Sequence, residues 1–338
     1  MATTIVSLVS EQTIPNVQFI KEFAKQADSF LFISTEKMED KKASRSEWIK
    51  KACLLAERKC KTILVDHTDL NDIELKVLDT IDLKQEYLVN LTGGNKLTAL
   101  ACFNVFREMS NAKIFYINIG TQAYEQIFPK PNERIKQLFE EQVSIIEYLT
   151  AYGMSISERE TKWFNLAESE RLFHRIIQTS SNFNEIDEIR DAHIHPDPFM
   201  RQFYAGGWFE EYIYARIKSS LKTTQGNQAY KVKLTKGGNG NEYDVVFMRN
   251  NEIHVVECKA FTSTSNPANL KAKLDASLFK LAALNDDFGL RVKSVFITTL
   301  PLRSINPALN QTIQSRAAEL GITFLQLNDL NSNFLKMI

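Results

Sequence analysis

Short apolar runs alternate with amphipathic stretches through the first 120 or so residues, and few folds accommodate that alternation. Thr4–Ser10, Phe30–Ser34, Thr62–Asp66, Tyr87–Leu91 and Lys113–Ile119 are rich in Ile, Val and Phe and read as strands. Between them Val17–Ala27, Arg45–Lys59, Asp72–Leu83 and Lys96–Met109 carry helical patterning. In the first, Val17, Ile20, Phe23, Ala24 and Ala27 make one apolar stripe. Strands that alternate with helices imply right-handed crossovers and a parallel sheet covered on both faces. This half reads as a Rossmann-like domain ending near Gly153.

A chain of 338 residues with a 44% hydrophobic share has material for two globular domains. No apolar run is long enough to cross a bilayer, and Met1–Ser10 carries no signal-peptide pattern. Cys53, Cys60, Cys102 and Cys258 lack CxxC spacing and are expected as reduced thiols in a cytoplasmic protein. A formal net charge of zero argues against indiscriminate wrapping of nucleic acid. Locally, however, Tyr214–Lys293 holds 13 Lys/Arg against 7 Asp/Glu, a surplus suited to phosphates and equally to solvated helix faces.

The expected organisation after Gly153 is a connector and then a second domain. Pro129–Pro131 closes the last strand segment, and a helix is expected through Glu133–Tyr152. Ser155–Phe199 is acidic and polar, with a helix around Ala167–Gln178. His193 and His195 could ligate a metal, but without partner cysteines a turn before proline fits them better. From Phe203 the pattern reads helix, hairpin, helix (Asn269–Asn285), strand (Ser294–Thr299), helix (Pro307–Leu320) and strand (Thr323–Gln326).

The hairpin is Asn241–Lys259, two β-rich runs around the turn pair Asn250-Asn251. That turn would oppose Arg249 to Glu252, Val246 to Val255 and Asp244 to Glu257. Like charges directly opposed in a sheet destabilise it, so two acids there need something positive between them. Lys259 points to the same face as Glu257, because side chains alternate along a strand. The triad is either a solvated ion-pair cluster or a cation site. Apolar residues on both faces of Val245–Phe247 and Val255-Val256 mark a central strand pair, where acids are usually paired or metal-bound. Upstream, Gly206–Tyr214 opens a buried helix with Glu210 and Glu211 in its first turn. Those two either complement the helix dipole or complete a metal's oxygen shell, and helix phase does not choose between them.

Two loops of the first half lie where ligands of parallel sheets bind, beyond the carboxyl ends of strands at the switch point. Ser10–Asn16 leads into a helix at Thr13 or Pro15, and Asn90–Lys96 leads into another. Gly93-Gly94 admits a phosphate close to backbone, and Lys96 adds a charge. Neither a GxGxxG nor a Walker A pattern is present, which disfavours a dinucleotide or an NTP.

Together, Val9–Asn16 and Asn90–Lys96 resemble the CARF domain of CRISPR-associated proteins. Gly206–Tyr214, Asp244 and Glu257-Cys258-Lys259 resemble the PD-(D/E)xK nuclease domain fused to it in one group of CRISPR ancillary nucleases. The resemblance covers almost the whole chain. It implies an α/β protein with a CARF sensor domain (1–153), a connector (154–200) and a restriction-endonuclease-like domain (201–338). It further implies a type III CRISPR effector: a homodimer that binds a cyclic oligoadenylate, usually cyclic tetra-adenylate, and then cleaves DNA, RNA or both. Gln12, Thr13, Pro15, Thr92, Gly93, Gly94, Asn95 and Lys96 would line the ligand site. Asn95 departs from the threonine expected after the two glycines. Asp244, Glu257 and Glu210 would bind Mg²⁺ or Mn²⁺, with Glu210 preferred over Glu211 because an apolar residue precedes it, and Lys259 would orient the attacking water. The rival readings are a ligand-sensing regulator that binds nucleic acid without cutting it, and a repair or restriction nuclease gated by no second messenger.

Overall fold

The expected alternation forms as β1 (Thr3–Leu8), α1 (Ile14–Phe23), β2 (Ser29–Ser34), α2 (Arg45–Ala52), β3 (Lys59–Leu64), α3 (Leu70–Leu78), β4 (Glu86–Asn90), α4 (Lys96–Arg107) and β5 (Ala112–Ile117). These strands pair in parallel, and β6 (Ala123–Phe128) and β7 (Gln137–Leu138) extend the sheet antiparallel, in the order β3-β2-β1-β4-β5-β6-β7. All of β1 is buried, as a strand covered on both faces requires. The strand order reverses between β1 and β4, so the loops leaving them are neighbours at the switch point.

The structure, a computed structural model, describes residues 1–41, 43–56, 58–118, 121–131, 136–160, 164–179, 183–221, 227–261, 267–331 and 334–338. It forms two compact units: Met1–Ser155 with Lys236–Asn239, and Ile156–Thr235 with Gly240–Ile338. Of the helix expected over 133–152 only a C-terminal part forms, and residues 136–144 carry the short strand β7 and irregular chain instead. The helix, α5 (Ile145–Ala151), starts late because Ser144 and Glu147 form a capping box. Residues 57, 119 and 133–135 of the expected elements lie outside the described residues.

The second sheet is six-stranded, and its helices pack around it. In chain order it contributes β8 (Met154–Glu160), α6 (Leu166–Gln178), two short helices α7 (Asp187–Arg190) and α8 (Pro198–Gln202), then α9 (Trp208–Leu221). There follow β9 (Gln228–Lys236), β10 (Asn239–Arg249), β11 (Glu252–Lys259), α10 (Pro267–Asn285), β12 (Val292–Thr298), α11 (Leu302–Ile305), α12 (Pro307–Glu319) and β13 (Ile322–Leu325). The sheet order is β13-β12-β11-β10-β9-β8. β10 and β11 pair antiparallel, and β11, β12 and β13 run parallel. The segment expected as a connector therefore supplies an edge strand and a packed helix: Leu172, Phe173 and Ile176 are buried, and Phe173 stacks on Tyr212 of α9 at 3.9 Å. Fully buried Trp208, Phe209, Phe247 and Phe296 centre this core, each contributing roughly 1.5–3 kcal/mol by leaving water.

Candidate functional site

The central hairpin has the register its turn demands. Asn250 and Asn251 adopt φ of 53° and 55°, the left-handed pair of a type I′ turn, which Asn tolerates better than most residues. Arg249 then faces Glu252, Val246 faces Val255 and Val245 faces Val256. Beyond that last pair the Asp244 carboxylate takes over from the backbone: its Oδ2 accepts the Cys258 N–H at 2.6 Å. Glu257, 5% exposed, pairs through Oε1 with Lys259 Nζ at 2.6 Å, and Lys280 Nζ of α10 stands 3.8 Å away.

The helix that carries Glu210 reaches the hairpin through a break in its geometry. Phe203–Gly207 forms a π-helical turn that kinks at Gly206, and α9 starts immediately after it. Tyr230 of β9 donates its hydroxyl to Gly207 O at 3.3 Å, fastening the kink to the sheet. Glu210 and Glu211 then diverge. Glu211 is fully buried and turned toward the start of α6, where its carboxylate accepts from Phe164 N (2.6 Å), Asn165 N (3.0 Å) and Ser169 Oγ (3.1 Å). Glu210 faces the hairpin acids and pairs with Lys231 Nζ of β9 at 3.5 Å.

Three carboxylates thus share one half-buried region, and the electrostatics record the crowding. Burial, then the neighbouring charges of Glu210 and Glu257, push Asp244 well above the ordinary carboxylate range. Burial also raises Glu210, against the pull of Lys231 and Lys259. For Lys259 burial favours the neutral amine, but Glu257, Asp244 and Glu210 outweigh it and raise its pKa. An all-oxygen set of mutually repelling carboxylates suits a hard divalent cation. Among the described residues no group of three or more His, Cys, Asp or Glu side chains is already set to hold a metal ion. As it stands, each acid here leans on a local donor: Cys258 N–H, Lys259 or Lys231.

At the switch point of the first sheet the two loops are tied to each other by buried amides. Asn16 Nδ2 donates to Leu8 O at 2.8 Å, and Asn90 Nδ2 donates to Asn16 Oδ1 at 2.9 Å. Gly93 packs directly on this junction, where an added Cβ would lie 1.8 Å from Leu8 O. Thr92 is consumed by the loop itself, donating to Asn90 Oδ1 at 2.7 Å and accepting Ile117 N–H at 2.8 Å. Asn95 caps α4, accepting Thr98 N–H at 2.8 Å, which is a helix-start role that its side chain performs as well as a threonine. Thr13 is fully buried and donates to Ala151 O at 2.6 Å, and Pro15 is buried in the first turn of α1. Gln12 and Gly94 are half-buried and Lys96 is exposed, so these and the loop backbone are what the junction presents outward.

Sequence reasoning did not single out Lys231, Lys280, Asn16 or Asn90. The strand pattern Tyr230-Lys231-Val232-Lys233-Leu234, with the apolar residues buried and the lysines on the other face, was the available signal for Lys231. His193 is exposed and His195 Nδ1 accepts Asp197 N–H at 3.2 Å, the turn before proline rather than a ligand pair.

Comparison with known proteins divides the chain along the same line. Residues 4–148 match the family described as the Card1 CARF domain, and residues 197–332 match the Card1-like endonuclease domain. No curated protein matches in sequence. Among solved structures, Can2 from Sulfobacillus thermosulfidooxidans in complex with cyclic tetra-adenylate aligns at a TM-score of 0.76 and 20% identity, covering 99% of both chains. Protein VC1899 from Vibrio cholerae aligns at 0.76 and 16%, covering 98% of this chain and 97% of its own. A type III CRISPR defence DNA nuclease activated by cyclic oligoadenylate aligns at 0.58 and 15%, covering 94% of this chain and 52% of its own. At these identities the likeness is one of fold.

Proposed function

The chain joins a Card1 CARF domain to a Card1-like endonuclease domain, and from that pairing we propose a nuclease of type III CRISPR defence that cyclic oligoadenylate switches on. Cyclic tetra-adenylate is the preferred activator, because the fold matches Can2, which was solved with that ring, along its full length. The observation that carries the nuclease reading is that Asp244, Glu257, Glu210 and Lys259 are neighbours beside the central hairpin, where Asp244, Glu210 and Lys259 each feel the charges around them. Residues 1–153 act as sensor and 201–338 as nuclease of the PD-(D/E)xK type, with 154–200 between them.

Asp244, Glu257 and Glu210 would hold Mg²⁺ or Mn²⁺, which supplies a bound water of lowered pKa and positive charge beside the scissile phosphate. Lys259, kept cationic by the three acids around it, orients that water and offsets charge building on the phosphate. Cys258 N–H holds the Asp244 carboxylate in position from the opposite strand. In the sensor, Gly93 lets the β4–α4 loop pack close on Leu8 and so sets the loop backbone that would meet the ring, and Lys96 contributes charge at the start of α4. Thr13, Pro15 and Thr92 shape these loops from beneath, Asn95 caps α4 at the surface, and Gln12 faces outward. A ring of repeated adenylates has internal rotational symmetry, which suits a site shared across the axis of a homodimer.

The test is to incubate the purified protein with cyclic oligoadenylates of each ring size, Mn²⁺ or EDTA, and single- or double-stranded DNA and RNA. Products that need both the tetra-adenylate ring and the metal are expected. Cleavage that proceeds equally without any ring would point to an ungated nuclease, and no metal-dependent product under any condition would point to a binding regulator.

A further inference from the structure

β9 carries a local irregularity at the point where it passes the acids. Asn227 and Ala229 are buried, then Tyr230, Val232 and Leu234 are buried, so the inward face shifts from odd to even positions around Ala229-Tyr230. Immediately after that shift Lys231 takes φ of 44°, a left-handed conformation that a non-glycine residue within a strand rarely adopts. Such a slip re-aims one side chain, and a strained residue that persists must be held by its surroundings. Here the side chain is re-aimed across the kink before α9. An added Cβ on Gly207 would lie 3.2 Å from Lys231 Nζ, so glycine leaves the ammonium its passage. The Nζ ends 3.5 Å from Glu210 Oε2 and 5.3 Å from the Tyr230 ring centroid. Lys233, the next residue on the same face, pairs instead with Glu158 at 3.3 Å.

Lys259 at 2.6 Å and Lys280 at 3.8 Å already serve Glu257, so Lys231 is a further, independent cation whose partner is the third acid. We infer that Lys231 is a positioning residue that holds the Glu210 carboxylate as a cationic placeholder and competes with the divalent ion for it. The inference rests on the metal-binding reading of the acid cluster. It gives the strained turn a purpose: without Lys231 the two remaining lysines, Lys259 and Lys280, both pair with Glu257, and with Lys231 a metal ion must displace a charge already in place at Glu210. The residue therefore keeps the empty site assembled and sets metal affinity below what the carboxylates alone would give.

Direct Mn²⁺ titration of the full chain, by calorimetry or by the electron-spin signal of free Mn²⁺, tests this without reference to cleavage. Lys231→Asn removes the ammonium while keeping a residue that tolerates positive φ, and Lys231→Gly removes it with no strain at all. Both should bind Mn²⁺ tighter, by on the order of tenfold, as expected when a like charge leaves the neighbourhood of the ion. Lys231→Arg should stay near wild type, and Lys233→Asn should leave Mn²⁺ affinity unchanged. Equal or weaker Mn²⁺ binding in both Lys231→Asn and Lys231→Gly, with wild type binding normally, overturns the placeholder and leaves the metal site standing. Absence of Mn²⁺ binding in wild type and variants alike removes the metal reading and this inference with it.

Discussion

The switch point of the first sheet and the acid cluster of the second are both polar and largely buried, yet they are balanced in opposite ways. At the switch point Asn16, Asn90, Thr92 and Asn95 satisfy one another and the nearby backbone, with neutral partners at 2.7–2.9 Å. In the acid cluster the members repel: Asp244 is raised in pKa by burial and by Glu210 and Glu257, and Glu210 is raised by burial against the pull of its lysines. A neutral, mutually bonded junction is stable before its ligand arrives and presents a preformed surface. A set of crowded carboxylates is a cost to the fold until a cation enters it. The first arrangement suits recognition and the second suits chemistry.

That contrast can be broken from either end. The largest expected effect is on cleavage: Glu257→Ala or Lys259→Ala should lower ring-activated cleavage by about a thousandfold or more. Cyclic tetra-adenylate affinity, measured by calorimetry, should not move in these variants; a matching loss of ring affinity would merge the two sites into one. Gly93→Ala should do the converse, since its Cβ would collide with Leu8 O at 1.8 Å. Ring affinity should fall by roughly a hundredfold, and the strain should lower stability by about 1–3 kcal/mol in urea unfolding. Normal ring affinity in that variant would show that the Gly93 loop lies outside the binding surface.

The adjacent acids of α9 sharpen the contrast within one helix. Glu211→Ala strands the N–H groups of Phe164 and Asn165 and should destabilise the protein by about 1–3 kcal/mol. Glu210→Ala should lower metal-dependent cleavage with a far smaller shift in Tm; equal Tm losses would place both acids in structural roles. The smallest effect is a gain. Asp244→Asn keeps an acceptor for Cys258 N–H while removing a repelling charge, so without metal its Tm should rise by a few degrees. A carboxyl whose folded pKa exceeds its unfolded one binds its proton more tightly when folded. Wild-type stability from this group therefore falls as pH rises from the unfolded value through the raised folded one. The Asn variant should lose that dependence, and its Tm advantage should grow over the same range. A Tm advantage that stays constant with pH would assign the gain to packing.

The parts of this structure legible in the sequence are those with a strong local pattern. β1, β2 and β4 are rich in the apolar residues that a two-sided parallel sheet requires, and Asn250-Asn251 sets the hairpin register by turn geometry alone. Two strands at or near a sheet's edge, β8 and β6, were not legible. β8 reads Met-Ser-Ile-Ser-Glu-Arg-Glu and β6 reads Ala-Tyr-Glu-Gln-Ile-Phe, because a strand at or near a sheet's edge needs little apolar surface and resembles loop. At the candidate site, the identity of the hairpin residues was readable because side chains alternate with period two. The division of labour between Glu210 and Glu211 was not, since it depends on where α6 begins, 40 or so residues earlier in the chain. Thr13 shows the same limit: its hydroxyl is taken by Ala151, a partner 138 positions away.

Consecutive residues on a helix point about 100° apart, and α9 spends that angle on two different attachments. Glu211 is riveted to the front of α6 by three donors, and Glu210 is the very next side chain back. The two cannot be steered separately. A displacement of residues 164–169 would therefore turn α9, and the face that carries Glu210 would turn with it.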